Sequence, residues 1–175
     1  MTLSIRRASS ADAECLAALS RATFSETFAH LYAPEDLAEF LANTYTAEKY
    51  RDALDEAGCA AWLLHDAQGQ AQGYALAGPC GLPHDEVAPG DMELKRLYVR
   101  AAHQRAGWGQ KLFAEAEGWM WRNGPAAIWL GVWSENHQAQ RFYQRQGFAR
   151  VGQYLFPVGQ ARDLEYIFRK TCLVA

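Results

Sequence analysis

Apolar residues recur along this chain with two periods, and the switches between them lay out its elements. Leu3 to Arg7 reads as a short first strand. Ser9 or Ser10 is suited to cap a helix running to about Ala29, with Asp12 in its first turn. Pro34 suits the first position of the next helix, whose stripe is Leu37, Phe40 and Leu41. A further helical piece spans about Ala47 to Ala57 and ends at Gly58. Cys59 to His65 and Gly73 to Ala77 read as strands joined in a hairpin through Asp66-Ala67-Gln68-Gly69-Gln70. A loop from Gly81 to Gly90 precedes a strand at 91–99. A helix at 107–122 follows, carrying Leu112, Ala116 and Trp119 on one face. Then come a strand at 126–133, a helix at 136–145, a strand beginning near Gly147, and a last strand near Asp163 to Lys170. Strand–helix–strand from 91 to 133 implies a parallel pair with a crossover helix, and the hairpins on either side imply antiparallel pairing. The sheet is therefore expected to be mixed, in a single domain covering 1–175.

The richest local signal lies where the strand at 91–99 feeds the helix at 107. Gln104-Arg105-Ala106-Gly107-Trp108-Gly109 is a short cationic loop whose glycines open the helix. The first N–H groups of a helix lack internal partners, and the aligned peptide dipoles add partial positive charge there. Glycine lets backbone approach a ligand closely. Residues 95–122 hold six basic against two acidic side chains, a net of +4 in a chain of net charge −3. An anion site is the reading that fits both facts; a solvated turn and ordinary surface lysines is the plainer alternative. The dinucleotide fingerprint fails, because Leu112 stands where its third glycine belongs, and no P-loop run is present.

Gln104-x-x-Gly107-x-Gly109, following Glu93-Leu94-Lys95-Arg96-Leu97-Tyr98-Val99, resembles the acetyl-CoA signature of the GCN5-related N-acetyltransferases (GNAT). Asn136-His137-Gln138-Ala139-Gln140-Arg141-Phe142-Tyr143-Gln144-Arg145-Gln146-Gly147-Phe148 resembles a second motif of that family, about thirty residues downstream and in the usual order. Arg100-Ala101-Ala102 departs from relatives that place a proline after the strand. Thr23-Phe24-Ser25-Glu26-Thr27-Phe28 and Ile128-Trp129-Leu130-Gly131-Val132-Trp133 are similar to PaiA-type spermidine/spermine N-acetyltransferases.

The resemblance implies an α/β (α+β) fold with a mixed, mostly antiparallel sheet, a splayed central parallel strand pair and flanking helices. It implies acetyl-CoA as cosubstrate and direct transfer to an amine within a ternary complex. By match to the motifs, Leu97, Tyr98 and Val99 would line the pantetheine, with backbone groups of Leu97 and Val99 offered to it. Amides across Gln104, Arg105, Ala106, Gly107, Trp108, Gly109 and Gln110 would hold the pyrophosphate, with side-chain contacts from Gln104 and Arg105. Asn136 would hydrogen-bond the cofactor arm, or act as an N-cap in competition with Ser134.

Tyr143 matches the family tyrosine and would protonate the departing thiolate; without the motif it reads as a core aromatic. An alkylamine is neutral in only about one molecule per thousand at pH 7, so reaching the attacking form costs about 4 kcal/mol and a base is useful. Glu93 is the candidate base, on a strand face expected to be shared with Lys95, Leu97 and Val99; a plain ion pair with Lys95 or Arg96 is the alternative.

Composition narrows the partners. Half the residues are apolar and charged residues make up 21%, so disorder is not expected. The N-terminus has no apolar leader and no run is long enough to span a bilayer, so a cytoplasmic location without membrane association is expected. Cys15, Cys59, Cys80 and Cys172 are scattered, favouring buried reduced thiols and no metal. Residues 20–60 carry eight acidic and three basic side chains; they are either solvated helix faces or an acidic rim that attracts a cationic substrate. Nucleic acid is disfavoured, since no basic face extends beyond the patch at 95–122. A homodimer is allowed but not required. A small cationic amine, with polyamines preferred, is the expected acceptor. The alternatives are a protein N-terminus or lysine, a non-catalytic acyl-CoA sensor of the same fold, and a plain α/β domain.

Overall fold

A computed structural model describes residues 2–56 and 58–172. Seven strands form one sheet in the order β1-β2-β3-β4-β5-β7-β6. They are β1 Ser4–Arg7, β2 Ala60–His65, β3 Ala71–Pro79, β4 Met92–Val99, β5 Ala127–Trp133, β6 Ala149–Val158 and β7 Ala161–Thr171. The helices are α1 Ala13–Phe28, α2 Pro34–Thr44, α3 Ala47–Asp55, α4 Trp108–Arg122 and α5 His137–Arg145. No helix among the described residues is long and apolar enough to cross a membrane.

Local chemistry accounts for most boundaries. A 3-10 turn, Ser10–Asp12, leads into α1, and the Asp12 carboxylate accepts from Ser9 N at 2.9 Å while pairing with Arg6 at 2.7 Å. Pro34 opens α2, and Thr46 caps α3 by accepting from Lys49 N. α3 ends at Asp55; the expected last residue, Ala57, lies outside the described residues. The β2–β3 turn is held by Asp66, whose carboxylate accepts from Gln68 N and Gln70 N.

The sheet is sandwiched by alternation. Trp62 and Leu64 of β2 face α4, which contributes Leu112, Phe113, Ala116 and Met120. Ala61 and Leu63 face α1 and the Tyr50 ring of α3. Each large side chain so buried contributes about 1.5–3 kcal/mol. The expectation of buried thiols is corrected: Cys15 and Cys172 are exposed, and Cys59 and Cys80 are half-buried. Cys15 falls on the outer side of α1 because Ala13, Leu16 and Ala17 take the inner one.

Two irregularities position the site. β4 and β5 pair in parallel at Met92↔Ile128 and Glu93↔Trp129, and no pairing continues beyond. The strands then diverge, which leaves 94–99 without a ladder partner on that side. β4 also carries a bulge: its register with β3 passes from Ala77↔Leu94 to Leu76↔Arg96, so Lys95 is the extra residue. This overturns the shared face expected for Glu93, Lys95, Leu97 and Val99. The bulge shifts the alternation by one. Leu97 and Val99 join Met92 and Leu94 on the α4 side, whereas Arg96 and Tyr98 turn to the α1–α3 side.

Candidate active site

Two cavities open where β4 and β5 part. The first, about 550 Å³, is lined by Leu97, Tyr98, Val99, Gln104, Arg105, Gly107, Gly109, Gln110, Asn136, Ala139, Phe142, Tyr143 and Arg145, among others. The second, about 350 Å³, lies on the other side of the gap and is walled by Phe24, Phe28, Tyr32, Tyr45, Trp133 and Phe156, with Glu93, Asp163 and Glu165 as its carboxylates. Leu97, Tyr98, Asn136, Ala139 and Tyr143 belong to both. The cavities meet at those residues.

The turn at 104–109 is shaped to receive an anion. Arg105 and Gly107 both adopt left-handed backbone, at φ 63° and 80°. Such alternation directs successive N–H groups into one concavity. Among the described residues, the N–H groups of 105–110 donate to no protein acceptor; the first intrahelical bond is Lys111 N to Gly107 O at 3.2 Å. A Cβ built on Gly107 or Gly109 meets nothing within 4 Å. At Gly107 the positive φ itself requires glycine. At Gly109 neither conformation nor protein packing does, so the open space in front of it fits a ligand. The residues present therefore suit a pyrophosphate.

The other sequence-derived candidates are distributed around this turn. The Gln104 side chain reaches back to donate to Val99 O at 2.9 Å. The Val99 carbonyl is thereby engaged, and Gln104 fastens the turn to the end of β4. Gln110 exchanges hydrogen bonds with Gln146 at the foot of α5. Trp108 packs against the core under the Lys111 ammonium, 4.1 Å from its ring centroid. The carboxylate of Glu26 pairs with Arg100 at 2.7 Å and accepts from Ala101 N, tying α1 to the start of the same loop. Arg145, which sequence reasoning did not single out, faces the cavity from the last turn of α5.

Asn136 is the N-cap of α5: its Oδ1 accepts from Ala139 N at 3.1 Å. Ser134 lies outside the helix, where its carbonyl accepts from Gln140. Tyr143 is buried against Phe113, Phe142 and Phe148, and burial raises its hydroxyl above the ordinary phenol range. It is a neutral donor at any physiological pH.

The carboxylates are arranged otherwise than expected. Glu93 accepts from Gly81 N at 2.9 Å and pairs with Lys95 at 3.2 Å. None of the eight acidic residues between 20 and 60 lines either cavity. That segment supplies aromatic rings instead, because α1 and α2 turn their apolar stripes inward and their carboxylates outward. The acidic wall comes from β7. Asp163 and Glu165 point to one face of that strand, as residues two apart must. The Tyr32 hydroxyl donates to Asp163 and the Tyr154 hydroxyl to Glu165. Burial pushes the Glu165 carboxyl up to about 7; Tyr154 opposes the rise and Asp163 adds to it. Sequence reading missed both residues; their alternation with Leu164 and Tyr166 was the one local signal, in a strand that also carries Arg162, Arg169 and Lys170. Gly131 on β5 gives them room: a Cβ there would stand 2.9 Å from the Tyr154 hydroxyl and 3.1 Å from Glu165 Oε2.

The acetyltransferase (GNAT) family model matches residues 22–148, most of the chain. The chain belongs to this family. An uncharacterized N-acetyltransferase in the pepI 3' region of Lactobacillus delbrueckii subsp. lactis is 33% identical over 155 residues, covering 87% of this chain and 88% of the relative. The spermidine N(1)-acetyltransferase of Thermoplasma acidophilum is 25% identical over 148 residues, 85% and 89% of the two chains. The fold matches the PaiA N-acetyltransferase of Thermoplasma acidophilum, crystallized with coenzyme A, at a TM-score of 0.73 and 21% identity over 98% and 100% of the two chains. In GNAT terms, the parting of β4 and β5 is the family's splayed pair, and the chain is an N-acetyltransferase by descent.

Proposed function

We propose that this chain transfers an acetyl group from acetyl-CoA to the primary amine of a small molecule that enters as its ammonium ion. Acetyl-CoA supplies an acyl thioester. The open amides of 105–110, flanked by Arg105 and Arg145, would hold its pyrophosphate, and the diverging edge of β4 would hold its arm. The observation that carries the reading is the meeting, at Tyr143, of a cavity lined by open amides and arginines with an aromatic, carboxylate-bearing one. Aromatic faces and carboxylates together favour an ammonium, and polyamines are one class of amine that such a wall admits.

Glu165 is our candidate base. A carboxyl with a pKa of about 7 is ionised often enough to accept a proton and basic enough to take it from an alkylammonium held against it. Glu93, already bonded to Gly81 and Lys95, is assigned to shaping the cavity. Tyr143 is the candidate acid. In the transfer, the ammonium gives a proton to Glu165, the amine nitrogen bonds to the acyl carbon, the carbon–sulfur bond breaks as Tyr143 protonates the sulfur, and the second proton released by the nitrogen as the amide forms restores the Tyr143 hydroxyl.

The test is thiol release from acetyl-CoA over a panel containing spermidine, spermine, other alkylamines, an aminoglycoside and short peptides. Turnover of small amines supports the reading; turnover of peptides alone overturns it. A second measurement concerns the base. Wild-type kcat/KM is expected to climb with pH through about 7 and then level off. Glu165→Gln must wait for free amine, so its profile keeps rising toward about pH 10. Coincident profiles would remove Glu165 from the mechanism.

A further inference from the structure

Arg96 is a cation enclosed at the acceptor cavity with no carboxylate beside it. The β4 bulge turns it away from α4 and toward the aromatic wall. Its guanidinium lies 4.8 Å from the Tyr45 ring centroid and 5.4 Å from that of Tyr50. Nη1 donates to the Tyr50 hydroxyl at 2.8 Å. Among the described residues no other protein acceptor takes a hydrogen bond from it, and no acid lies within the 4.0 Å of an ion pair. The group is crowded by neighbours yet keeps an accessible side, as a lining residue must. An enclosed charge without a counter-charge is costly. The Tyr50 hydroxyl does not depend on Arg96, since it already has Ser20 as a partner.

Apart from Glu93 and Lys95, which pair with each other, the other charged groups lining the cavity are Asp163 and Glu165. Tyr98 lies within electrostatic reach of both Glu165 and Arg96, so the two charges share one cavity. The cavity is thus bipolar. A guanidinium with free N–H groups in a planar fork is matched by a carboxylate.

We infer that the acceptor is an amino carboxylate, its ammonium against Asp163 and Glu165 and its carboxylate on Arg96. This rests on the N-acetyltransferase reading and sharpens it. A polyamine, cationic throughout, would set like charge against Arg96; an amine bearing a carboxylate satisfies both walls.

The experiment compares amines that differ only by a carboxylate: 1,4-diaminobutane with ornithine, 1,5-diaminopentane with lysine, and phenethylamine with phenylalanine. For each pair kcat/KM is measured by thiol release, and Kd by calorimetry with coenzyme A present. At least one pair is expected to favour the carboxylated member by about tenfold or more, as a charged pair formed in an enclosed site does. Arg96→Gln should erase that preference through KM and Kd. Arg96→Lys, which keeps charge but not the fork, should restore part of it. Equal or reversed preference in every pair, by both measurements, overturns the inference, and the wild-type comparison decides this even where a variant fails to fold. Failure of every amine to turn over, with coenzyme A still bound, overturns the enzymatic reading instead; the calorimetric comparison then still decides the role of Arg96.

Discussion

Gly109 separates a ligand's demand from the fold's. It sits in the first turn of α4 with nothing in front of it, so Gly109→Ala removes backbone entropy from the unfolded chain without a clash. The variant is expected to gain about 0.5–1 kcal/mol of stability and to bind coenzyme A at least about tenfold more weakly, about 1.4 kcal/mol, as read by thermal melting and calorimetry. Tyr143→Phe tests the opposite case. The hydroxyl accepts and donates nothing within the described protein, so packing survives its loss. Coenzyme A affinity should stay near wild type while kcat falls by about 10²-fold or more. Undiminished turnover would return Tyr143 to the status of a core aromatic. Motif spacing alone nominated these two residues. Glu165 and Arg96 were not, because their significance lies in which partners they have or lack.

At the scale of elements, the site is made by one strand that departs from its own ladder. β4 stops pairing with β5 after Glu93, and its bulge at Lys95 exchanges the faces of everything downstream. Periodicity predicted the strand and its length; it had no means of placing one unpaired residue, since a bulge is an agreement between two strands. The same holds for α1. Its Glu26 looked like part of an acidic surface and is instead the tether between α1 and the start of the loop that leads from β4 to α4. Glu26→Gln is expected to cost under about 1 kcal/mol of stability, because the pair with Arg100 is partly exposed. It should nonetheless raise the coenzyme A Kd several-fold by loosening residues 100–105. A larger loss of stability than of affinity would show that the tether serves the fold alone.

For the whole molecule, Glu165 links folding to pH. Its carboxyl titrates near 4.5 when unfolded and near 7 when folded, so between those values the folded state holds the extra proton. Stability from this group is therefore full below about pH 4.5 and declines as pH rises to about 7, by up to about 3 kcal/mol. Glu165→Gln should flatten that decline, melting above wild type at pH 8 and close to it at pH 4.5, while losing activity. Such a trade is expected of a group kept for chemistry rather than stability. Element order, the mixed sheet, the hairpin at Asp66–Gln70 and the glycine turn that opens α4 were determined by the sequence alone, because period, capping chemistry and glycine placement act over a few neighbouring residues. The acidic wall, the reversed face of β4, the exposure of Cys15 and Cys172 and the lone charge of Arg96 were decided only by tertiary structure. Each depends on which distant segment comes to lie opposite, and burial, counter-charge and pKa are properties of that meeting rather than of any stretch of chain.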